Sequence, residues 1–194
     1  MMRARNSVFL AAAFAVLVAA PARADQLITF EGFPSGTVFT NQFPGVVFNG
    51  ATILSKSDNT LNWQQFPPRS GDNVVYNETG PMTLSFTAPV EYFLGYFTYN
   101  DGLTIRAFDV FGGALLATYT GACVANRVSD PCGDPNELGT VAAPGIGYVE
   151  IIGGSGNNFT LDDAQFTGSQ NIPEPASLFL LGSGLLGLAV RKRR

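Results

Sequence analysis

Histidine is absent from this chain of 194 residues, and cysteine occurs only twice. Without an imidazole, the chain cannot form a Ser-His or Cys-His catalytic pair, in which histidine accepts the proton of the nucleophile. The two thiols, Cys123 and Cys132, are also too few to complete the four-ligand set of a structural zinc site. The sequence therefore excludes histidine-dependent nucleophilic enzymes and the common zinc-binding modules.

Positive charge is scarce between the two ends of the chain. Seven of the eleven lysines and arginines lie within residues 1–24 or 171–194, so four remain in the middle segment, 25–170. Fourteen of the fifteen acidic residues lie in that segment, Glu174 being the exception, so its formal charge is 4 − 14 = −10. Because nucleic-acid binding depends on neutralising phosphates, we expect no nucleic-acid partner. An acidic segment is better suited to solubility or to binding divalent cations.

The N-terminus has the pattern of a secretory signal peptide. Arg3 and Arg5 precede an apolar stretch at 8–20, which is too short for an ordinary membrane span. Small residues stand at the −3 and −1 positions before Asp25, as at a signal-peptidase cleavage site. We therefore expect residues 1–24 to be a signal helix that is removed on export.

The C-terminal segment, 171–194, consists of a Pro-Glu-Pro turn, an apolar run at 176–190 and four terminal cations. The turn and the cations are Pro173, Glu174 and Pro175, and Arg191, Lys192, Arg193 and Arg194. An apolar helix followed by cations stops in a membrane, because the cations are retained on the cytoplasmic side. At ~1.5 Å per residue the run spans about 22 Å, less than the ~30 Å hydrocarbon core. Such a short transmembrane helix suits a temporary anchor, and an unprocessed tail anchor is the alternative.

This tail resembles the PEP-CTERM sorting signal of Gram-negative bacteria that produce exopolysaccharide. The tripeptide, the glycine-spaced leucine run and the basic end all occur in register. The resemblance implies recognition and cleavage by an exosortase, a membrane-embedded transpeptidase-like cysteine enzyme. Pro173, Glu174 and Pro175 would then be the recognition element and not catalytic groups. The implied partners are the exosortase, the inner membrane and exopolysaccharide, and the implied route ends at the cell surface or outside the cell.

Short runs of Val, Ile, Phe, Tyr and Thr alternate with Gly, Pro, Asn and Asp in the middle segment, and helical periodicity is nearly absent. This pattern is typical of strands and turns. The predicted strands are 26–31, 46–54, 73–76, a regular stretch from 81 to 87, 90–99, 103–110, 114–120, 138–141, 147–152 and 159–167. They indicate an all-β, antiparallel β-sandwich, jelly-roll-like, with an immunoglobulin-like sandwich as the alternative. The segments 28–37, 81–89 and 158–163 also resemble small β-sandwich domains found upstream of the PEP-CTERM signal, which implies a fold and not a ligand.

Two local patterns predict how the strands are connected. The stretch 90–99 is apolar on both parities, which predicts a central strand covered on both faces. The Asn-Asp-Gly sequence at 100–102 predicts a tight hairpin turn into the next strand. Cys123 and Cys132 flank a polar loop, and in an exported chain we expect them to form a disulfide that closes it.

Asp162 and Asp163 are the most informative acidic pair. In the last strand, the alternation of inward-facing residues shifts by one position at this pair. The shift predicts a β-bulge that turns both carboxylates toward one loop. Calcium prefers oxygen ligands of this kind. Glu31 is a further candidate ligand if the first and last strands pair, and Asp72 is a fourth candidate. The alternative is that these acids cap turns and stay solvated. A carboxylate pair can also hydrolyse glycosides, but adjacent residues do not show the separation that this needs.

Trp63 is the only tryptophan and lies in a polar loop beside amides. An exposed indole in such a setting can stack on a sugar ring, so Trp63 is a candidate glycan-binding residue. The alternative is a side chain that folds down to cover the end of the sandwich. The sequence leaves three hypotheses: a non-enzymatic exported protein with a structural or adhesive role, a carbohydrate-binding module with structural calcium, and a carboxylate glycoside hydrolase.

Overall fold

The computed structural model describes residues 25–77, 80–154 and 158–167. All regular secondary structure in these ranges is β-strand, and every strand pairing is antiparallel. The strands are β1 (Asp25–Ile28), β2 (Val38–Phe39), β3 (Val46–Asn49), β4 (Ala51–Ser55), β5 (Asn73–Tyr76), β6 (Met82–Tyr99), β7 (Leu103–Phe108), β8 (Leu115–Thr120), β9 (Glu137–Gly153) and β10 (Phe159–Thr167). The predicted all-β, antiparallel class is confirmed.

The sheet runs in the order β2-β4-β5-β10-β6-β9-β7-β8, with β1 on β10 and β3 on β6. The long strands β6 and β9 pair along most of their length, but their register shifts between Ser85 and Tyr92. Pro89 of β6 and Pro144 of β9 lie in this irregular stretch, and proline is tolerated at bulges because it cannot donate to the ladder. Before the shift β6 pairs with β3 and the end of β9, and after it with β10 and the start of β9. The two long strands therefore connect the part of the sheet that contains β3 with the part that contains β10.

Phenylalanine fills much of the single buried core. Phe39 of β2 and Phe48 of β3 pack edge to face with a centroid distance of 5.1 Å, and Phe30 meets them at 5.2 and 6.0 Å. Phe93 and Phe97 of β6 are also fully buried. Edge-to-face pairs of this kind add to the stabilisation from area burial, so the abundant phenylalanines serve the core.

Several predicted strand boundaries were wrong. The strand predicted at 26–31 ends at Ile28, the segments predicted separately at 81–87 and 90–99 form the single strand β6, and β2 was not predicted. The segment predicted as one strand at 46–54 is divided into β3 and β4 by Gly50, whose φ of 75° requires a residue without a Cβ. The segments predicted separately at 138–141 and 147–152 form the single strand β9, because pairing with β6 continues through the bulged region. Pro144 and Gly145 are typical of turns and predict a break in the strand. Pairing with β6 is instead present on both sides of them.

The predicted hairpin at 100–102 was also wrong, since β6 and β7 are not paired and β9 lies between them. The turn instead leads from the start of β9, where Phe97 pairs with Glu137, to the end of β9, where Leu103 pairs with Gly153. The residues of the turn do not indicate that the distant strand β9 is inserted between β6 and β7. β6 is a central strand with neighbours on both edges, as predicted, but only one face is fully buried: Tyr92, Leu94 and Tyr96 are half-buried.

The predicted signal helix at 1–24 and the sorting tail at 171–194 lie outside the described residues. Within the described ranges, the structure contains no helix with the length and apolar character needed to cross a membrane.

Candidate functional site

The predicted bulge at the aspartate pair is confirmed. β10 changes register against β6 between Asp162 and Gln165. Asp163 has a φ of 46°, in the left-handed region that aspartate tolerates better than most residues. On its other edge β10 changes partner at the same place, from β5 to β1. Asp162 and Asp163 therefore lie in a gap along this edge of β10, between the stretch that pairs with β5 and the stretch that pairs with β1.

The loop before β5 fills this gap. Asp162 Oδ2 accepts hydrogen bonds from the backbone amides of Arg69 (2.7 Å) and Ser70 (3.0 Å). Its Oδ1 accepts one from the amide of Asp163 (2.7 Å), and Asp163 Oδ1 accepts one from Ser70 Oγ (2.7 Å). The Arg69 guanidinium lies 4.4 Å from the centroid of the Tyr96 ring. Both carboxylates thus hold one loop against the sheet.

Glu31 holds the other end of the same loop. Its Oε1 accepts hydrogen bonds from the amides of Asp72 (3.1 Å) and Asn73 (2.9 Å). The pairing of the first and last strands, on which the calcium hypothesis depended, is present: β1 pairs with β10 from Asp25–Thr167 to Ile28–Ala164.

The structure brings the four candidate calcium ligands, Glu31, Asp72, Asp162 and Asp163, to this one loop. However, three of the four carboxylates accept hydrogen bonds from N–H and O–H donors. In the part of the chain that the structure describes, no group of three or more His, Cys, Asp or Glu side chains could hold a metal ion. Calcium binding stays a prediction, and the observed geometry gives these acids a role in fixing the loop.

Burial raises the pKa of Asp162 to about 7. The charge of Asp163 contributes to this rise, while the three backbone amides that donate to the carboxylate oppose it. Asp162 is only 1 % exposed. Its protonation state therefore changes near neutral pH, at the point where the loop is attached.

Trp63 is 40 % exposed and lies in a turn that begins at Asn62. The carbonyl of Asn62 accepts hydrogen bonds from the amides of Gln65 (3.0 Å) and Phe66 (2.9 Å). The Lys56 ammonium lies 5.3 Å from the centroid of the indole ring, within cation–π range. The exposure that the glycan-binding hypothesis requires is present.

A cleft of about 200 Å³ adjoins this turn. Its lining combines apolar, aromatic, hydroxyl and amide side chains, and none of the lining residues is charged: Leu54, Thr60, Leu61, Asn62, Phe66, Tyr76, Asn158, Phe159 and Thr160. Leu61 and Phe159 are buried, whereas Asn62 and Asn158 are exposed. Trp63 stands next to Asn62 in the chain but does not line the cleft. Sequence reasoning identified the Trp63 turn and missed the cleft, because its lining comes from segments far apart in the chain.

The Cys123–Cys132 disulfide is formed, as predicted, with a Cα–Cα distance of 6.6 Å. The loop that it closes contacts the turn that carries Trp63. Ser129 Oγ donates to Gln65 Oε1 (2.6 Å), and the amide of Val128 donates to the Gln65 carbonyl (3.3 Å). The disulfide loop therefore supports the turn that carries Trp63.

A glutamate flanked by two tyrosines anchors the start of the disulfide loop. Glu137 accepts hydrogen bonds from the Tyr99 hydroxyl (2.5 Å), the Tyr119 hydroxyl and the amide of Ala122 (2.8 Å). Burial and the Glu137 carboxylate raise the pKa of Tyr99 to about 12 and raise that of Tyr119 as well, so both phenols stay protonated donors at neutral pH. No sequence signal predicted this cluster, because its members come from three different strands and a loop.

Comparison with known proteins identifies the tail. Residues 171–194 match the PEP-CTERM protein-sorting motif. No curated protein sequence is significantly similar to the chain. Among solved structures, the catalytic domain of a GH87 alpha-1,3-glucanase variant in complex with tetrasaccharides is similar at a TM-score of 0.36 and 13% identity, covering 73% of this chain and 30% of that chain.

Proposed function

We propose that this chain, which carries a PEP-CTERM protein-sorting motif at its C-terminus, is an exported β-sandwich protein that an exosortase sorts and cleaves. The match of residues 171–194 to the motif is the observation that carries the proposal. The signal-peptide pattern at 1–24 supplies the export step, and the short apolar run supplies a temporary anchor in the inner membrane. The mature protein then resides at the cell surface or in the extracellular matrix.

Replacement of the recognition tripeptide tests this proposal. In the native cells, a tagged chain with Pro173, Glu174 and Pro175 all replaced by alanine is expected to stay in the inner-membrane fraction. The wild type and a matched Ser177→Ala variant are expected in the surface or extracellular fraction. Equal release of all three would refute sorting through the tripeptide.

We propose a non-enzymatic, structural or adhesive role for the domain itself. The best-placed carboxylates, Asp162 and Asp163, both hydrogen-bond to the loop that contains Ser70 and do not line the cleft. Glycoside hydrolysis needs two carboxyl groups on either side of the bond, ~5–9.5 Å apart. This arrangement supports a structural use of the acids, and we do not propose a hydrolase.

Carbohydrate binding is the second candidate function. It is supported by the exposed indole of Trp63 beside a cleft that offers amides and aromatic rings. Because Trp63 is the only tryptophan, its fluorescence reports on this turn alone. Titration of the full chain with matrix polysaccharides is expected to change the emission, and no response across the panel would count against this function.

A further inference from the structure

We infer that the cleft beside the Trp63 turn binds a single uncharged sugar ring. The inference rests on the carbohydrate-binding candidate above and adds where the sugar binds, how much of it is enclosed and which sugars are refused. Three properties of the cleft carry it: its volume, the chemistry of its lining and the charge around it.

The volume limits the ligand to one ring. The cleft measures about 200 Å³, below the ~300–1,000 Å³ of clefts that enclose drug-sized ligands. One pyranose ring fits such a space, whereas a bound oligosaccharide would leave its other rings outside. A terminal or side-branch sugar of a polymer is therefore enclosed, and further rings add little to the affinity.

The lining matches the two surfaces of a sugar. The half-buried rings of Phe66 and Tyr76 offer apolar area to the C–H face of the ring. The exposed amides of Asn62 and Asn158 offer donors and acceptors to hydroxyl groups. These two asparagines come from different loops, so a ring in the cleft is within reach of amides from two segments of the chain.

The charge pattern selects against acidic sugars. None of the residues that line the cleft is charged, so a carboxylate in it would lose water without gaining a cation to pair with. The middle segment, with its formal charge of −10, also repels a polyanion at longer range, although salt screens this beyond ~8 Å. Lys56 is a cation near the turn, and its ammonium lies over the Trp63 ring.

Ligand-observed NMR on the full chain, in a detergent without a sugar headgroup, tests the inference. The probes are glucose, galactose and N-acetylglucosamine, each alone, with glucuronate and galacturonate as charged counterparts. At least one neutral sugar is expected to bind in the millimolar range and its uronate at least tenfold more weakly. Asn62→Ala and Asn158→Ala are each expected to weaken that binding at least tenfold. Asn49→Ala, an exposed asparagine of β3 outside the cleft, is the matched control and is expected to bind as the wild type does.

The other outcomes distinguish failure of sugar binding in this cleft from failure of carbohydrate binding as a whole. Unchanged neutral-sugar binding in both cleft variants, with circular dichroism showing that they are folded, would place the sugar elsewhere and overturn the inference while leaving carbohydrate binding intact. Uronates that bind as tightly as neutral sugars would overturn the charge selection. If neither these sugars nor the matrix polysaccharides bind, carbohydrate binding itself fails, and the sorting proposal is unaffected.

Discussion

Asp162 accepts hydrogen bonds from three backbone amides while lying almost completely out of water. The amides favour the charged form and the burial opposes it, and burial has the larger effect, since the pKa rises to about 7. One carboxylate therefore couples the attachment of a surface loop to pH.

Removing this charge is expected to change how stability depends on pH. Because the folded-state pKa lies above the unfolded value of ~3.9, the folded protein binds a proton between about pH 4 and 7 that the unfolded chain has lost. Wild-type stability from this group is thus greatest at low pH and falls, by roughly 4 kcal/mol at most, as the pH rises to 7. Asp162→Asn lacks this fall, so its deficit relative to the wild type should shrink from pH 4 to 7 in urea unfolding.

The control for this experiment is Asn49→Ala, which replaces an exposed side chain of β3 that has no titratable group. Its difference from the wild type should stay constant over the same pH range. An Asp162→Asn deficit that is equally constant would show that Asp162 does not titrate in this window.

The same group of acids predicts the response to a chelator. Because Glu31, Asp162 and Asp163 already accept N–H and O–H donors, we expect excess EDTA to leave the thermal midpoint of the full chain unchanged. A fall in the midpoint that added calcium restores, and magnesium does not, would instead establish the calcium site that the sequence suggested.

Among the elements of the fold, the strands that depend on local patterns were predictable and the connections were not. A strand was predicted at 81–87, where Met82 and Leu84 are buried, and the shift of the inward face in the last strand predicted the bulge at Asp162. The insertion of β9 between β6 and β7 depends on pairing between residues 40 to 69 positions apart, from Phe97–Glu137 to Met82–Ile151, which no local signal reports. For the same reason the sequence identified Trp63 but not the cleft beside it.

We expect loss of the Cys123–Cys132 disulfide to affect the turn that carries Trp63 as well as the loop that the disulfide closes. Loss of the bridge through Cys123→Ala with Cys132→Ala is expected to lower the unfolding free energy by about 2–3 kcal/mol, the range for a short closed loop. Because Ser129 and Val128 of this loop hydrogen-bond to Gln65, the emission of Trp63 should also shift.

Reducing agent supplies the matched comparison. It should reproduce both effects in the wild type and add nothing to the double variant. An unchanged Trp63 emission in the double variant would show that the disulfide loop does not support the tryptophan turn.

At the scale of the whole molecule, the ends and the middle have separate tasks. The ends hold seven of the eleven cations and the long apolar stretches, which suits passage to and through a membrane. The segment Arg23–Asn171 forms one compact unit. In the proposed function, the tail with its PEP-CTERM motif directs the delivery of the domain.

Mass spectrometry of the mature protein from native cells tests this claim most directly. If an exosortase sorts and cleaves the chain, the C-terminal peptide of the surface or extracellular form lacks residues 191–194 and the apolar run before them. A mature chain that still ends at Arg194 would contradict processing and leave an ordinary tail anchor in its place.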